Sequence, residues 1–323
     1  MYPIIDMHCD TMICVVGADK GGLRQNDAQL DLNKLRAGGS MVQCFALYLA
    51  EYGSPDYHLC SDPDDPMDFF SKAADLFDRE IGKNADMIAH VRSYDDILEA
   101  HGAGKLGALM SVEDSVFLEG DLARLDMAYE RGVRLMSLTW NFENTLGFPN
   151  RPDGPSDQGL KPFGIEAVRR MNELGIIVDV AHLSDGGIYD VAKYSKKPFV
   201  ASHSNARALC PVPRNLTDDM LRLIGDSGGV AGLNFCIEFL RFGEKGTAYI
   251  EDIARHARYM ADRAGVEAVG FGSDMDGITN ELEFVDASGM QLMAQGLEKY
   301  FTPREVELIT HKNVLRLIKD CCK

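Results

Sequence analysis

The chain has 323 residues, 46% hydrophobic and 26% charged, an ordinary globular composition with room for one large domain. Its formal net charge of −17 repels phosphate backbones, which argues against a nucleic-acid partner. No apolar stretch approaches the ~18 residues of a membrane span. The N-terminal MYPIIDMHCDT lacks the basic segment and apolar run of a secretory signal, so a cytoplasmic protein without membrane attachment is expected.

Short apolar runs alternate with longer helical patterns along the chain. YPII (2–5) is the first run, and MVQCFALYLA (41–50) follows a Gly-Gly turn. LGALMSV (106–112) follows a helix expected around 94–101, and VRLMSLTW (133–140) follows one over 121–131. IIVDVAH (176–182) follows a helix over 162–174, and PFVASH (198–203) one over 185–196. GVAGLNF (229–235) follows a helix over 217–227, and EAVGFGSD (267–274) one over 247–264. Thr302-Pro303, a cap followed by a first-turn proline, opens a last amphipathic helix over 303–320.

Near-continuous apolar runs are the mark of strands buried on both faces, and strand–helix alternation implies right-handed βαβ units. Eight units predict an α/β fold, a (β/α)8 TIM barrel forming a single domain over 1–323 with inserted loops. The open doubly wound sheet is the alternative that the same alternation permits. Two long segments, 51–66 and 141–161, are rich in Pro, Asp, Asn and Gly. They are expected either to cover a site or to be solvated insertions. Eight cysteines are scattered without metal-type CxxC spacing and are read as reduced thiols. A prenylation box would need its cysteine at position 320, which is Asp320.

Barrel enzymes collect their chemistry at the C-terminal ends of the strands. Here metal-type side chains fall at five such ends: His8 and Asp10, Glu113, His182, His203 and Asp274. His8 and Asp10, two apart on extended chain, share a face and can meet one ion. A carboxylate such as Glu113 at the end of a buried strand must be paired, protonated or metal-bound, and its two oxygens can bridge two ions. His182 and His203 end consecutive strands, and imidazole suits zinc and related ions. Asp274 lies in GFGSDMDGI, where it can carry a proton from a metal-bound water, with Asp276 as the second candidate. Arg214 precedes a helix start and has a guanidinium suited to a carboxylate, or to a surface ion pair with Asp218 or Asp219. His256 and His311 read as surface or packing residues, and His58, His90 and His101 as loop or helix-end residues.

The segments DMHCDT, SVEDS, VDVAHLS, ASHSNARAL, RNLTDD and GSDMDGI, in that order, resemble the renal (membrane) dipeptidase family of zinc peptidases. LDLNKLRAGGSMVQCFALYLA also looks like that family's second-strand region, so the resemblance spans nearly the whole chain. It implies a (β/α)8 barrel with two zinc ions. His8 and Asp10 would hold one ion, His182 and His203 the other, and Glu113 would bridge them. Asp274 would be the catalytic aspartate, with Glu113 beside it, and Arg214 would take the substrate carboxylate. The resemblance further implies a homodimer and tolerance of a C-terminal D-residue.

Two departures bear on substrate contacts. Where mammalian members carry a histidine after strand four, this chain reads LTWNFENT, which puts Trp140 or Asn141 in its place. The mammalian NFY appears as Asn234-Phe235-Cys236. Trp140, Asn141 and Asn234 are therefore the candidate substrate-binding residues. The expected reaction is cleavage of a dipeptide by a hydroxide bridging two metal ions. The alternatives are a hydrolase using the same centre on another amide or lactam, and a non-catalytic metal-binding barrel.

Overall fold

Every apolar run named above forms a strand in the computed structural model, which describes residues 1–49, 65–151, 153–154 and 156–322. In chain order the strands are β1 (Ile4–Asp6), β2 (Ser40–Tyr48), β3 (Ile88–His90), β4 (Leu106–Glu113), β5 (Val133–Ser137) and β6 (Ile177–Asp179). There follow β7 (Phe199–Ala201), β8 (Val230–Leu233), β9 (Thr247–Ala248), β10 (Val269–Phe271) and β11 (Glu281–Leu282). β1, β2, β4, β5, β6, β7, β8 and β10 pair in parallel, and β10 pairs back onto β1. The sheet is therefore closed: an eight-stranded (β/α)8 barrel, with the open doubly wound alternative excluded.

β3 was not foreseen. It pairs with Leu106–Ala108 of β4, below the point where β5 takes over that edge at Met110. Its three residues, Ile-Ala-His, are too few to show a period. β9 and β11 form a separate two-stranded parallel ribbon.

The helices between strands begin and end where the local chemistry dictates. Asp121 caps the helix Leu122–Arg131 by accepting from the Ala123 amide, and Gly132 ends it at φ 102°. Thr217 caps Asp218–Asp226, and Pro162 opens Pro162–Leu174 at its first turn. The helix Pro66–Lys83 was also missed; Asp65 caps it and Pro66 leads it. Of the long segment 51–66, only Asp65 and Pro66 lie within the described residues. The last helix forms over the expected range, with a wider turn in its middle. Pro303–Glu307 runs into a π-helical turn, Leu308–Lys312, and then Asn313–Cys321.

Strand residues alternate between two cores, as a period of two requires. Ile5, Val42, Leu109, Leu135, Ile177, Val200 and Val230 pack together inside the barrel with Val314, Leu317 and Ile318 of the final helix. Their neighbours Phe45, Met110, Met136, Val178, Phe199 and Ala231 belong to the larger core shared with the surrounding helices. The N-terminal end of the barrel is thus filled with aliphatic side chains. Its C-terminal end is left to the polar residues that follow the strands. No helix among the described residues is long and apolar enough to cross a membrane. No disulfide joins two of the described cysteines.

Candidate metal centre

Each predicted ligand sits at or just past a strand end on the C-terminal side of the barrel. Glu113 is the last residue of β4 and pairs in register with Tyr48 of β2. His8 and Asp10 follow β1, and His203 follows β7 by two residues. His182 and Asp274 each lie three residues past a strand and adopt left-handed backbone, φ 68° and 64°. Such a conformation is uncommon outside glycine, and it turns each side chain back over the mouth. All six residues except Asp274 are buried.

The carboxylate of Glu113 divides the group in two. Its Oε1 lies 3.0 Å from His182 Nε2 and 3.5 Å from His203 Nε2. Its Oε2 lies 3.6 Å from His8 Nε2, which is 3.5 Å from Asp10 Oδ2 and 3.8 Å from Asp274 Oδ1. The rings of His8 and His203 stack with centroids 3.9 Å apart. Gly277 leaves space beside the carboxylates: a Cβ there would lie 2.1 Å from Asp10 Oδ2 and 2.8 Å from Asp274 Oδ1.

The protonation states show whether this donor set fits metal ions. Ser202 Oγ donates to Asp179 Oδ2 at 2.5 Å, so toward His203 Nδ1, 2.7 Å away, it acts as acceptor. That places the proton of His203 on Nδ1 and leaves a lone pair on Nε2. Arg214 Nη2, which can only donate, lies 3.0 Å from His182 Nε2, so that nitrogen also presents a lone pair. Burial first, then Arg214, lowers the His182 pKa to about 4, and burial holds His203 well below its ordinary value. Two imidazole lone pairs and a carboxylate oxygen therefore converge on one point. On the other side, His8 Nε2 and Asp10 Oδ1 are buried without a hydrogen-bond partner. The 3.5–3.8 Å spacings around His8 are too long for good hydrogen bonds and suit ligands of a shared cation.

Electrostatics agree. Burial and the neighbouring Glu113 charge push the Asp10 carboxyl up to about 7. Burial works against a charged His8, but Glu113 and Asp10 outweigh it and raise its pKa well above the ordinary value. Burial would likewise raise Glu113, yet His8 and His182 overcome it and hold the carboxyl low. The mixed imidazole–carboxylate donors fit first-row divalent cations.

A second layer of residues escaped the sequence reading. Asp179, at the end of β6, accepts from the Ser202 hydroxyl and from the backbone amides of Ser202 and Ala181. Asp6, at the end of β1, does the same with the Ser273 hydroxyl at 2.6 Å and the amides of Ser273 and His8. The two clamps tie β6 to β7 and β1 to β10, in each case at the serine preceding a site residue. The signal was an aspartate inside an apolar strand, which must find donors.

Asp274 Oδ2 accepts from Asn234 Nδ2 at 2.9 Å. Asn234 is fully buried behind Asp274 and does not line the cavity, so its expected place against substrate is corrected. Asp276 accepts from Thr11 Oγ1 and the Gln29 amide. Arg214 is buried, donating to Ser204 Oγ at 3.2 Å and the His203 carbonyl at 3.3 Å, so the surface-pair reading with Asp218 or Asp219 fails. Its Nε is buried without a partner. Asn141 Oδ1 lies 3.1 Å from His182 Nδ1. Trp140 packs edge-on against Tyr48, with centroids 5.1 Å apart. Asp10, Glu113, His182, Asp274, Arg214, Trp140, Asn141 and Tyr48 line one cavity of about 940 Å³. His256, expected at the surface or in packing, is buried, accepting from the Ala206 amide and donating to the Leu240 carbonyl.

With this geometry in place, comparison with known proteins is decisive. The family model for membrane dipeptidase, peptidase family M19, matches residues 1–322. The chain belongs to the membrane dipeptidase family. It is 34% identical over 268 residues to an uncharacterized protein in the pqqA 5′ region of Klebsiella pneumoniae, covering 80% of this chain and 98% of that one. It is 33% identical over 298 residues to an uncharacterized dipeptidase of Schizosaccharomyces pombe, covering 90% and 71%. A crystal structure of a metallopeptidase from Rhodobacter sphaeroides, bound to a phosphinate mimic of the dipeptide L-Ala-D-Ala, superposes with a TM-score of 0.86 at 27% identity over 99% of both chains. The family member described here is accordingly a metal-dependent dipeptidase, a hydrolase.

Proposed function

We propose that this dipeptidase works with two zinc ions, one held by His8 and Asp10, the other by His182 and His203, with Glu113 bridging. One observation carries the reading: the two oxygens of Glu113 face the two halves of the donor set separately. When bound, such ions supply a Lewis acid for the scissile carbonyl and lower the pKa of water.

The remaining steps belong to the chain's own residues. Asp274 is the proton carrier. Asn234 fixes its Oδ2, leaving Oδ1 turned toward His8, and burial first, with Glu113 adding, raises its pKa. It takes a proton from the attacking water and delivers it to the leaving amine. Arg214, with a buried unpartnered Nε, receives the substrate's C-terminal carboxylate, which restricts the site to short peptides with a free terminus. Trp140 lines the cavity beside it and bounds the space for the substrate. The ligand of the Rhodobacter relative supports extending the substrate class to dipeptides with a C-terminal D-residue. The family resemblance supports a homodimer.

The test is elemental analysis of the purified protein, followed by assay of the same preparation on L-Xaa-L-Yaa and L-Xaa-D-Yaa dipeptides with and without a chelator. About two equivalents of zinc with chelator-sensitive cleavage is the expected result. Bound metal without dipeptide cleavage would transfer the site to another amide or lactam. Failure to bind metal after reconstitution would end the proposal.

A further inference from the structure

We propose that Asn141 acts as a positioning residue for the ligand His182, not as a substrate contact, and that Asp114 holds it there from the neighbouring strand end. The inference rests on the metal-centre reading above and adds to it a residue that sets metal affinity.

The direction of the hydrogen bond follows from a third residue. Arg214 Nη2 lies 3.0 Å from His182 Nε2 and has no lone pair to offer, so Nε2 is the acceptor. A neutral imidazole then carries its proton on Nδ1, 3.1 Å from Asn141 Oδ1. The amide oxygen of Asn141 is the group that receives it. This bond fixes the tautomer and the ring plane, and it keeps Nε2 aimed at Glu113 Oε1, 3.0 Å away.

Asn141 is itself held. Asp114 follows the bridging Glu113 directly and adopts left-handed backbone at φ 70°, although it is not glycine. Its carboxylate accepts the Trp140 backbone amide and, at 2.9 Å, Asn144 Nδ2. Asn144 Nδ2 also reaches the Leu138 carbonyl at 2.8 Å, and Asn144 Oδ1 accepts from the Leu146 amide. The turn carrying Asn141 is thus tied on both sides to the residue after Glu113. A hydrogen-bonded route runs from the end of β4, across the turn after β5, to the ligand after β6.

The two histidines that face Glu113 Oε1 are supported unequally. His203 leans on Ser202 and, through it, on the Asp179 carboxylate. His182 leans on a neutral amide. A carboxylate behind a ligating imidazole raises its basicity, whereas a neutral acceptor mainly orients it. The exchange Asn141→Asp therefore strengthens His182 as a ligand, and Asn141→Ala removes its support.

The experiment titrates metal-free protein with Zn2+ against a chromophoric chelator, for the parent, Asn141→Ala, Asn141→Asp and Asp114→Ala, with a thermal melt of each as a folding control. Asn141→Ala should weaken one of the zinc affinities by about 10- to 100-fold. Asp114→Ala should weaken the same affinity, and Asn141→Asp should bind at least as tightly as the parent. If Asn141→Ala or Asp114→Ala does not fold, parent against Asn141→Asp decides: weaker binding by the aspartate variant overturns the proposal. Unchanged zinc affinity in Asn141→Ala, with KM raised for every dipeptide, also overturns it and returns Asn141 to substrate. Because the titration needs no turnover, failure to cleave dipeptides would count against the proposed function alone.

Discussion

The Nε2 atoms of His182 and His203 lie 3.0 Å apart, and Glu113 Oε1 is within 3.5 Å of both. Behind each ring a polar side chain faces Nδ1: Asn141 Oδ1 at 3.1 Å from His182 and Ser202 Oγ at 2.7 Å from His203. A cation held by both imidazoles and the carboxylate binds the folded chain and not the unfolded one, so it stabilises the fold. Chelation should therefore lower the melting temperature, and Zn2+ at a thousand times its Kd should restore about 4 kcal/mol of stability. Calorimetry with and without chelator measures this; identical melting curves would contradict it.

The two serine clamps predict separable defects. Ser202→Ala cuts His203 off from Asp179 and should weaken zinc binding about 10- to 100-fold. Ser273→Ala loosens the turn that carries Asp274 and drops a 3.3 Å contact with the His8 carbonyl, so it should lower kcat and weaken zinc binding less than Ser202→Ala does. Metal titration and steady-state kinetics on both variants distinguish the two; an equal metal defect would show that the clamps are not specialised.

Arg214 and Asp274 should divide KM from kcat. Arg214→Ala removes charge-assisted bonds to the substrate carboxylate and should raise KM about 10- to 100-fold. Asp274→Asn removes a proton carrier and should lower kcat about 10²- to 10⁴-fold. Dipeptide kinetics on each variant give the answer, and equal effects on both constants in both variants would undo the assignment.

Gly277→Ala tests the space beside the carboxylates. Its Cβ would fall 2.1 Å from Asp10 Oδ2, so Asp10 must move. The expected outcome is loss of the ion on the His8 side, read as a fall from about two zinc ions to about one, with the helices and strands intact by circular dichroism. Full zinc content in the variant would show that Asp10 is not a ligand.

His256 sets a pH limit on stability. Burial, with the Arg255 charge adding, lowers its pKa from 6.5 to about 4, against the opposing hydrogen bond to the Leu240 carbonyl. Its stabilising contribution is complete above pH 6.5 and is lost as pH falls through 4, since the unfolded chain takes up the proton first. Between pH 7 and pH 5 the stability gap between the parent and His256→Gln should narrow by about 2 kcal/mol, measured by urea unfolding. A constant gap would show that the ring protonates without penalty.

The five candidate ligand positions stood out because each follows an apolar run that reads as a buried strand, and a barrel gathers such ends in one place. Asp6 and Asp179 were hidden because they lie inside the runs, IID and VDV, where the eye counts strand residues and not partners. β3 was too short to show a period. Pro66–Lys83 was hidden behind a Pro- and Asp-rich segment that reads as loop. Asn234 and Asn141 were placed near substrate from the family pattern; Asn141 lines the cavity and Asn234 stands behind Asp274. Only the direction of the side chain separates the two.

The sequence by itself determined the order of strands and helices, the closed barrel that eight such units favour, and the residue types offered at its mouth. Hydrophobic periodicity and local capping are short-range properties written in adjacent residues. The tertiary structure alone decided which oxygen of Glu113 faces which histidine, which groups stand behind each imidazole, and that Arg214 turns inward. Those outcomes depend on distances between residues as far apart in the chain as His8 and Asp274, and such distances exist only once the barrel closes.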